Sequence, residues 1–187
     1  MSMPTALPDE YDAEHPVIEA IRQGDRYAFE EFAHRNGAWV RAVIFGVLGR
    51  RQHLDDVCQQ AWMRFWEQLP KLRDAKRWRS WLYRLARNVA LDAGREFTRQ
   101  NRLVQSRVNP VAASSHRDAV ADGERRVIVL DAIQSLPAIY REPFVLRHVE
   151  GWSYRQIGEV MGLGESTIET RLVRARRLLR EALKNKV

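Results

Sequence analysis

Residues 151–181 read GWSYRQIGEVMGLGESTIETRLVRARRLLRE, and no other stretch limits the fold so tightly. Two short helical patterns meet at a glycine-bounded turn. Ser153 can cap the first by accepting from a free backbone N–H, and Gln156 three residues on can reach back, which makes a capping box. Ile157, Val160 and Met161 give that helix a buried side, and Gly158 permits close approach of the partner helix. Gly162 and Gly164 flank Leu163, so the turn can enter left-handed backbone conformations that other residues resist. At about 100° per residue, Ile168, Leu172, Ala175, Leu179 and Leu183 then share one stripe. Ser166, Thr170, Val173, Arg174 and Arg177 fall opposite, with Thr167 and Glu169 at the margins. This is the layout of a helix-turn-helix, whose second helix fits the major groove of B-DNA. Small hydroxyls and a valine suit base edges and thymine methyls, and arginine suits guanine or phosphate. A basic, solvated surface helix is the bland alternative, but cap, turn and stripe agree on the sharper reading.

Charge placement adds a second clue. Residues 71–107 hold 11 Lys/Arg against 3 Asp/Glu, and residues 165–187 hold 7 against 3. The stretches 1–70 and 108–164 are mildly acidic, at 7 against 11 and 6 against 7. Two separate basic segments imply two contacts with a polyanion rather than a uniformly basic surface. Cys58 is the single cysteine, so no intramolecular disulfide and no thiolate-rich zinc site can form. Its place within a helical pattern marks a small core residue rather than a reactive thiol. No leader-like segment opens the chain and no run of apolar residues is long enough to span a membrane, so a soluble, cytoplasmic protein is expected.

From Val17 onward the periodicity is helical almost throughout, which predicts an all-α chain. Helices are expected over Val17–Gln23, over Arg26–Asn36 with Asp25 as its cap, and over Ala38–Leu48, ended by Gly49. Asp55 is the expected cap of a helix running to Leu69 and stopped by Pro70, and a long helix follows from Arg79 to Gln100. Residues 101–123, rich in proline, serine, alanine and small polar side chains, build no core and read as a flexible linker. A second helical unit begins near Glu124. Pro137 suits a helix start there, and Pro143 is expected to kink the segment or move its start later. The expected division is a loose N-terminus at 1–16, a first domain at 17–100, the linker at 101–123 and a second domain at 124–187.

The basic stretch WRSWLYRLARNVALDAGRE, residues 78–96, interleaves aromatics with arginine. On a helix, Trp81, Leu82, Leu85, Ala86 and Val89 form a core stripe, while Arg84, Arg87, Asn88, Asp92 and Arg95 lie away from it. Such interleaving suits a single nucleic-acid strand, with cations on phosphates and apolar or π surfaces receiving bases. Trp81 reads as core, whereas Trp78 at the helix start reads equally as core or as stacking platform. Upstream, DDVCQQAWMRFWEQL, residues 55–69, buries Val57, Cys58, Ala61, Trp62, Phe65 and Leu69. Its other face carries Asp55, Asp56, Gln59, Gln60, Arg64 and Glu67, and alone that face reads as merely solvated.

The order of these segments is specific. DDVCQQAWMRFW, a charged loop, WRSWLYRLARNVALD, a linker and then LPAIYREPFVLRHVEGWSYRQIGEVMGLGESTIETRLVRARRLLR together resemble bacterial RNA polymerase sigma factors. Specifically, the chain resembles the short extracytoplasmic-function (ECF) group of the sigma-70 family, which keeps only the second and fourth sigma regions. The resemblance spans Val17 to Lys184. It implies two helical domains with a C-terminal helix-turn-helix, acting in promoter-specific initiation without cofactor, metal or catalytic residue. Its implied partners are core RNA polymerase, promoter DNA (duplex at −35, melted at −10) and an anti-sigma protein. By position, Asp56, Gln59, Gln60 and Arg64 would face the polymerase. Leu72, Trp78, Asn88 and Asp92 would line the pocket for an unstacked −10 base, with Arg84 and Arg87 following the strand's phosphates. Ser166, Thr167, Glu169, Thr170, Arg171, Val173, Arg174 and Arg177 would read the −35 duplex.

Three positions depart from the common pattern. Glu169 stands where many relatives carry a basic residue; its carboxylate repels phosphate and suits cytosine N4. Leu72 replaces an aromatic found in some relatives. The linker is only weakly acidic, with Asp118 and Asp122 against Arg102, Arg107 and Arg117. A helix-turn-helix regulator with its own N-terminal sensing or dimerisation domain would account for 124–187 but leaves 55–96 unexplained. An enzyme is not indicated: His15, His34, His53, His116 and His148 lack metal-ligand spacing, and no phosphate loop, GxSxG or HExxH occurs.

Overall fold

The computed structural model describes residues 14–105 and 121–184. Its α-helices are α1 (His15–Arg22), α2 (Arg26–Leu48), α3 (Leu54–Gln68), α4 (Trp78–Gln105), α5 (Ala121–Ser135), α6 (Ala138–His148), α7 (Tyr154–Met161) and α8 (Glu165–Lys184). Two 3-10 turns, Leu69–Lys71 and Ala75–Arg77, join α3 to α4. No strand occurs among the described residues, in keeping with the all-α expectation. Of the connector expected at 101–123, residues 106–120 lie outside the described residues, and α4 and α5 run into its two ends. Residues 1–13 of the expected loose N-terminus also lie outside them.

The helix boundaries follow local chemistry, with three corrections. Asp25 caps α2 as expected, its side chain accepting from the Ala28 N–H at 3.0 Å. However, α2 runs unbroken through Gly37, where a break was expected. A glycine inside a helix costs about 1 kcal/mol, and the buried Trp39, Val40, Val43, Ile44 and Val47 beyond it outweigh that cost. Asn36 further binds the segment together: it donates to the Phe32 carbonyl at 2.9 Å and accepts from the Trp39 indole at 2.8 Å. At α3 the N-cap is His53, in the left-handed region at φ 61°, and Asp55 falls in the first turn instead. There Asp55 and Asp56 complement the positive end of the helix dipole, and Asp55 pairs with Arg41 of α2. Pro143 lies inside α6, which starts at Ala138 after Pro137 and not at a later position.

Helices α1–α4 close around an aromatic core. Phe32 stacks on Phe65 at 5.2 Å and meets Trp78 edge-on at 5.0 Å. Helices α5, α6 and α8 bury Ala132, Ile133, Leu136, Val145, Ala175 and Leu179 together. The two groups are joined: α6 crosses α2, and α7 packs on α4. The crossing is tight at Gly46, where a Cβ would stand 3.1 Å from the Glu142 Cα.

Candidate nucleic-acid interface

The turn between α7 and α8 is built by its own side chains. Ser153 Oγ accepts from the Gln156 N–H at 3.2 Å and Gln156 Oε1 accepts from the Ser153 N–H at 2.8 Å, completing the capping box. Gly162 ends α7 in the left-handed region at φ 69°; Gly164 is not among the glycines of positive φ. At Gly158 the turn crowds in more closely than the partner helix that was expected there. A Cβ there would lie 2.6 Å from the Leu163 carbonyl oxygen of the turn and 3.9 Å from the Glu165 nitrogen that opens α8.

Helix α8 then divides as its periodicity predicts. Ile168, Leu172, Ala175 and Leu179 are buried, and Leu183 is half-buried. Ser166, Thr167, Glu169, Thr170, Val173, Arg174 and Arg177 are exposed, and Arg171 is half-buried. Val173 is an apolar side chain left 53% exposed among them. A shallow depression brings Ser166, Thr167, Thr170, Arg171 and Arg174 together with Ile139 and Tyr140 of α6. Hydroxyls, a carboxylate, a methyl-bearing surface and arginines thus share one helix face near its N-terminus, the set that reads base edges and phosphates.

On α4 the structure separates the expected residues into two groups. Arg84, Asn88 and Asp92 are exposed and Arg87 is half-buried. Asn88, Asp92 and Arg95 line a polar groove of about 410 Å³ with Arg64 of α3, where Asp92 pairs with Arg64 and Arg95 at 3.6 Å. Leu72 and Trp78, by contrast, are 7% and 1% exposed. As folded, neither offers a surface to a base. Trp78 is inserted among Phe32 and Trp39 because the second 3-10 turn delivers it inward. On α3, Asp56, Gln59, Gln60 and Arg64 are all exposed and share one side of the helix.

A second group of residues, not expected from sequence, joins the two halves. Arg141 is 6% exposed and Glu142 3%. Arg141 donates to the carbonyls of Gly46 at 2.8 Å and Val47 at 3.0 Å, and also to Gln134 at 2.7 Å and Leu136 at 2.6 Å. It therefore satisfies orphan carbonyls at the C-terminal ends of both α2 and α5, where the helix dipoles favour a cation. Burial draws its guanidinium below the ordinary arginine range. Glu142 accepts from Tyr83 Oη at 3.0 Å and from Arg87 Nε at 2.9 Å. Burial, then the neighbouring carboxylate, pushes the Tyr83 hydroxyl far above its usual range, so it stays a donor. Trp39 meets Trp152 at 5.4 Å, and the Arg79 guanidinium lies over the Trp152 ring at 5.4 Å. The sequence hint was slight: two adjacent charges inside an apolar helix pattern, with nothing to name their partners.

Two family models match this chain. Sigma-70 region 2 covers residues 32–102, and Sigma-70, region 4 covers residues 126–179. The ECF RNA polymerase sigma factor SigL of Mycobacterium tuberculosis is 30% identical over 136 residues, covering 72% of this chain and 77% of that protein. The chain belongs to the ECF sigma factors. Another relative, the ECF RNA polymerase sigma-E factor of Haemophilus influenzae, is 28% identical over 181 residues, covering 91% of this sigma factor and 93% of that protein. The structure of CnrH in complex with the cytosolic domain of CnrY shares the fold at a TM-score of 0.68 and 22% identity, covering 94% and 100% of the two chains. The function is that of an alternative sigma factor, which directs core RNA polymerase to promoter DNA. The region 2 match over α2–α4 accounts for the segment that a simple helix-turn-helix regulator leaves unexplained. Among the described residues no helix is long and apolar enough to cross a membrane.

Proposed function

We propose a division of labour among three exposed helix faces of this sigma factor. The polar side of α3, with Asp56, Gln59, Gln60 and Arg64, grips core polymerase. The outer side of α4 takes the −10 strand, Arg84 and Arg87 on its phosphates and Asn88 and Asp92 beside its unstacked base. Leu72 and Trp78 serve this face from beneath, as core that fixes the start of α4. Helix α8 reads the −35 duplex through Ser166, Thr167, Glu169, Thr170, Arg171, Val173, Arg174 and Arg177. The observation that carries the proposal is the clean two-sidedness of α8, whose buried stripe leaves every one of these residues at or near the surface.

The mechanism is binding without bond chemistry, so the protein is not an enzyme, and it works in the cytoplasm alongside RNA polymerase. Residues 17–100 and 124–187 act as two readers, each weak alone. Tethered by 101–123, they raise each other's effective concentration and make affinity depend on the spacing of the two elements. Capture of an unpaired base offsets an unstacking cost of a few kcal/mol, as in base-flipping enzymes. Control by an anti-sigma protein completes the proposal, in line with the second chain bound to CnrH.

Core polymerase lacking any sigma subunit, mixed with this protein and a pool of genomic DNA, should start RNA at defined sites that 5′-end sequencing maps. Random starts, or no retention of the protein on immobilised core, would remove the assignment. On a promoter found this way, Asn88→Ala should leave −35 duplex binding intact while permanganate footprinting shows reduced melting. Normal melting would take Asn88 out of the −10 site.

A further inference from the structure

Helix α8 is electrically divided across its exposed face. At about 100° per residue, Glu165 and Glu169 fall on one flank and Arg171 and Arg174 on the other, with Ser166, Thr170 and Val173 between them. The depression beside α6 keeps to that division: it takes in Arg171 and Arg174 with Ser166, Thr167 and Thr170, and leaves out Glu169 and Val173. Glu169 is exposed, and among the described residues it has no hydrogen-bond or ion-pair partner. Its neighbours explain why. Two other exposed acids of this unit sit four residues from an arginine and meet it, Glu159 with Arg155 at 3.7 Å and Glu181 with Arg177 at 3.9 Å. One turn either side of Glu169 stand Val173 and a second acid, Glu165, so its helical neighbours supply no cation. Arg176 shares the acidic flank but is half-buried and stands about two turns farther on.

A carboxylate in this place narrows what the helix can read. DNA phosphates repel it, so α8 enters the groove with its arginine flank toward a phosphate strand and Glu169 toward the base edges. Desolvated there without a donor, the carboxylate is costly. The donors on major-groove edges are the N4 amino group of cytosine and the N6 amino group of adenine, whereas guanine and thymine present acceptors. Adenine also carries an acceptor, N7, beside its amino group, and cytosine does not. We propose that Glu169 fixes cytosine at one position of the −35 element. It accepts from the N4 amino group and excludes guanine and thymine, whose acceptors face the carboxylate unpaired. Specificity of this kind comes from a penalty on the wrong partner, and a wrong base there should cost about tenfold. The inference rests on the reading of α8 as the −35 helix and adds the identity of one base to it.

The test uses holoenzyme assembled from core polymerase and the full chain, on a promoter mapped by 5′-end sequencing whose −35 segment is replaced by random duplex. Templates that the holoenzyme retains are sequenced. The native protein should enrich cytosine about tenfold at one position of one strand. Glu169→Ala should flatten that position alone and raise retention of templates that lack the cytosine. Glu169→Gln should admit adenine, whose N6 and N7 a glutamine amide matches, and Glu169→Arg should turn the preference to guanine. Arg174→Ala, run beside them, should relax a different position. If the Glu169 variants change no position while Arg174→Ala still relaxes its own, Glu169 is a solvated bystander and the inference is overturned. A native preference for any base other than cytosine at the affected position overturns it too. So does a cytosine preference that survives in Glu169→Arg, because a guanidinium cannot accept from an amino group. If the native holoenzyme enriches no sequence, or if no α8 variant alters the enrichment, the reading of α8 itself fails. Because Glu169 is exposed, all three replacements leave the buried stripe of Ile168, Leu172, Ala175 and Leu179 in place.

Discussion

Arg174 is exposed on α8, and its Nη1 lies 3.4 Å from the Tyr140 hydroxyl, a weak contact at best. Its removal should therefore cost little stability, within about 0.5 kcal/mol, while lowering −35 duplex affinity by about 1–3 kcal/mol and relaxing preference at one base pair. Anisotropy against duplexes substituted one pair at a time distinguishes this from a phosphate contact, which would weaken all of them alike. Cys58 makes the opposite point. Burial raises its thiol to about 11, a lift that the nearby Arg41 only partly offsets. Since the thiolate is the reactive form, about one molecule in a thousand carries it at pH 8, against about one in four for an ordinary cysteine. Iodoacetamide should accordingly modify the folded chain at least about tenfold more slowly than the urea-unfolded one. Equal rates would contradict this protected setting. Both residues were readable from helical position alone, Arg174 from its place opposite the apolar stripe and Cys58 from its place within one. Trp78 was not, because a residue at a loop–helix junction has no periodicity to assign it, and only the inward course of the 3-10 turn decides.

Elements are legible in a chain to the extent that their ends are written in side chains. The capping box of α7 is such a case, and Ser153→Ala should remove it. The expected loss is about 1 kcal/mol, which for a chain of this size lowers the melting temperature by about 2–4 °C; thermal denaturation followed by circular dichroism checks it. No change would mean that tertiary packing alone sets the start of α7. Where the end signal is absent or overruled, prediction from sequence fails. Gly37 looked like a stop, yet the core on both sides carries α2 through it. Asp55 looked like a cap, yet His53, one of the few non-glycine residue types that tolerate the left-handed region, begins α3 instead. His53 also stacks on Phe97 at 4.9 Å, a contact between residues distant in sequence that no local pattern encodes.

At the scale of the whole molecule, two helical groups and their order could be read, but not their junction, because complementary charges in different halves carry no shared periodicity. The buried cluster nevertheless runs across it: Leu146, Trp152, Ile157, Ile168 and Leu172 pack in one core with Ile18, Phe32, Phe65 and Trp78. Continuity of that kind couples the halves, so the folded protein should unfold in urea as one cooperative transition. Arg141 is the residue on which the coupling turns. Its guanidinium is the donor for two helix ends at once, and Gly49, at φ 65°, leaves the space it occupies, since a Cβ there would lie 2.4 Å from it. Truncation to alanine strips four carbonyls of their donor in a region too enclosed for each to find water without movement. Each buried group left unsatisfied costs about 1–3 kcal/mol. The relief available is separation of the halves, which lets solvent reach the ends of α2 and α5. Arg141→Ala should therefore split the single transition into two, the C-terminal half melting first, as read by tryptophan emission and far-ultraviolet circular dichroism together. Arg141→Lys should restore little, because one ammonium group cannot reproduce the planar fork that reaches both helix ends. A single unshifted transition in Arg141→Ala would show that the apolar contacts hold the halves together unaided.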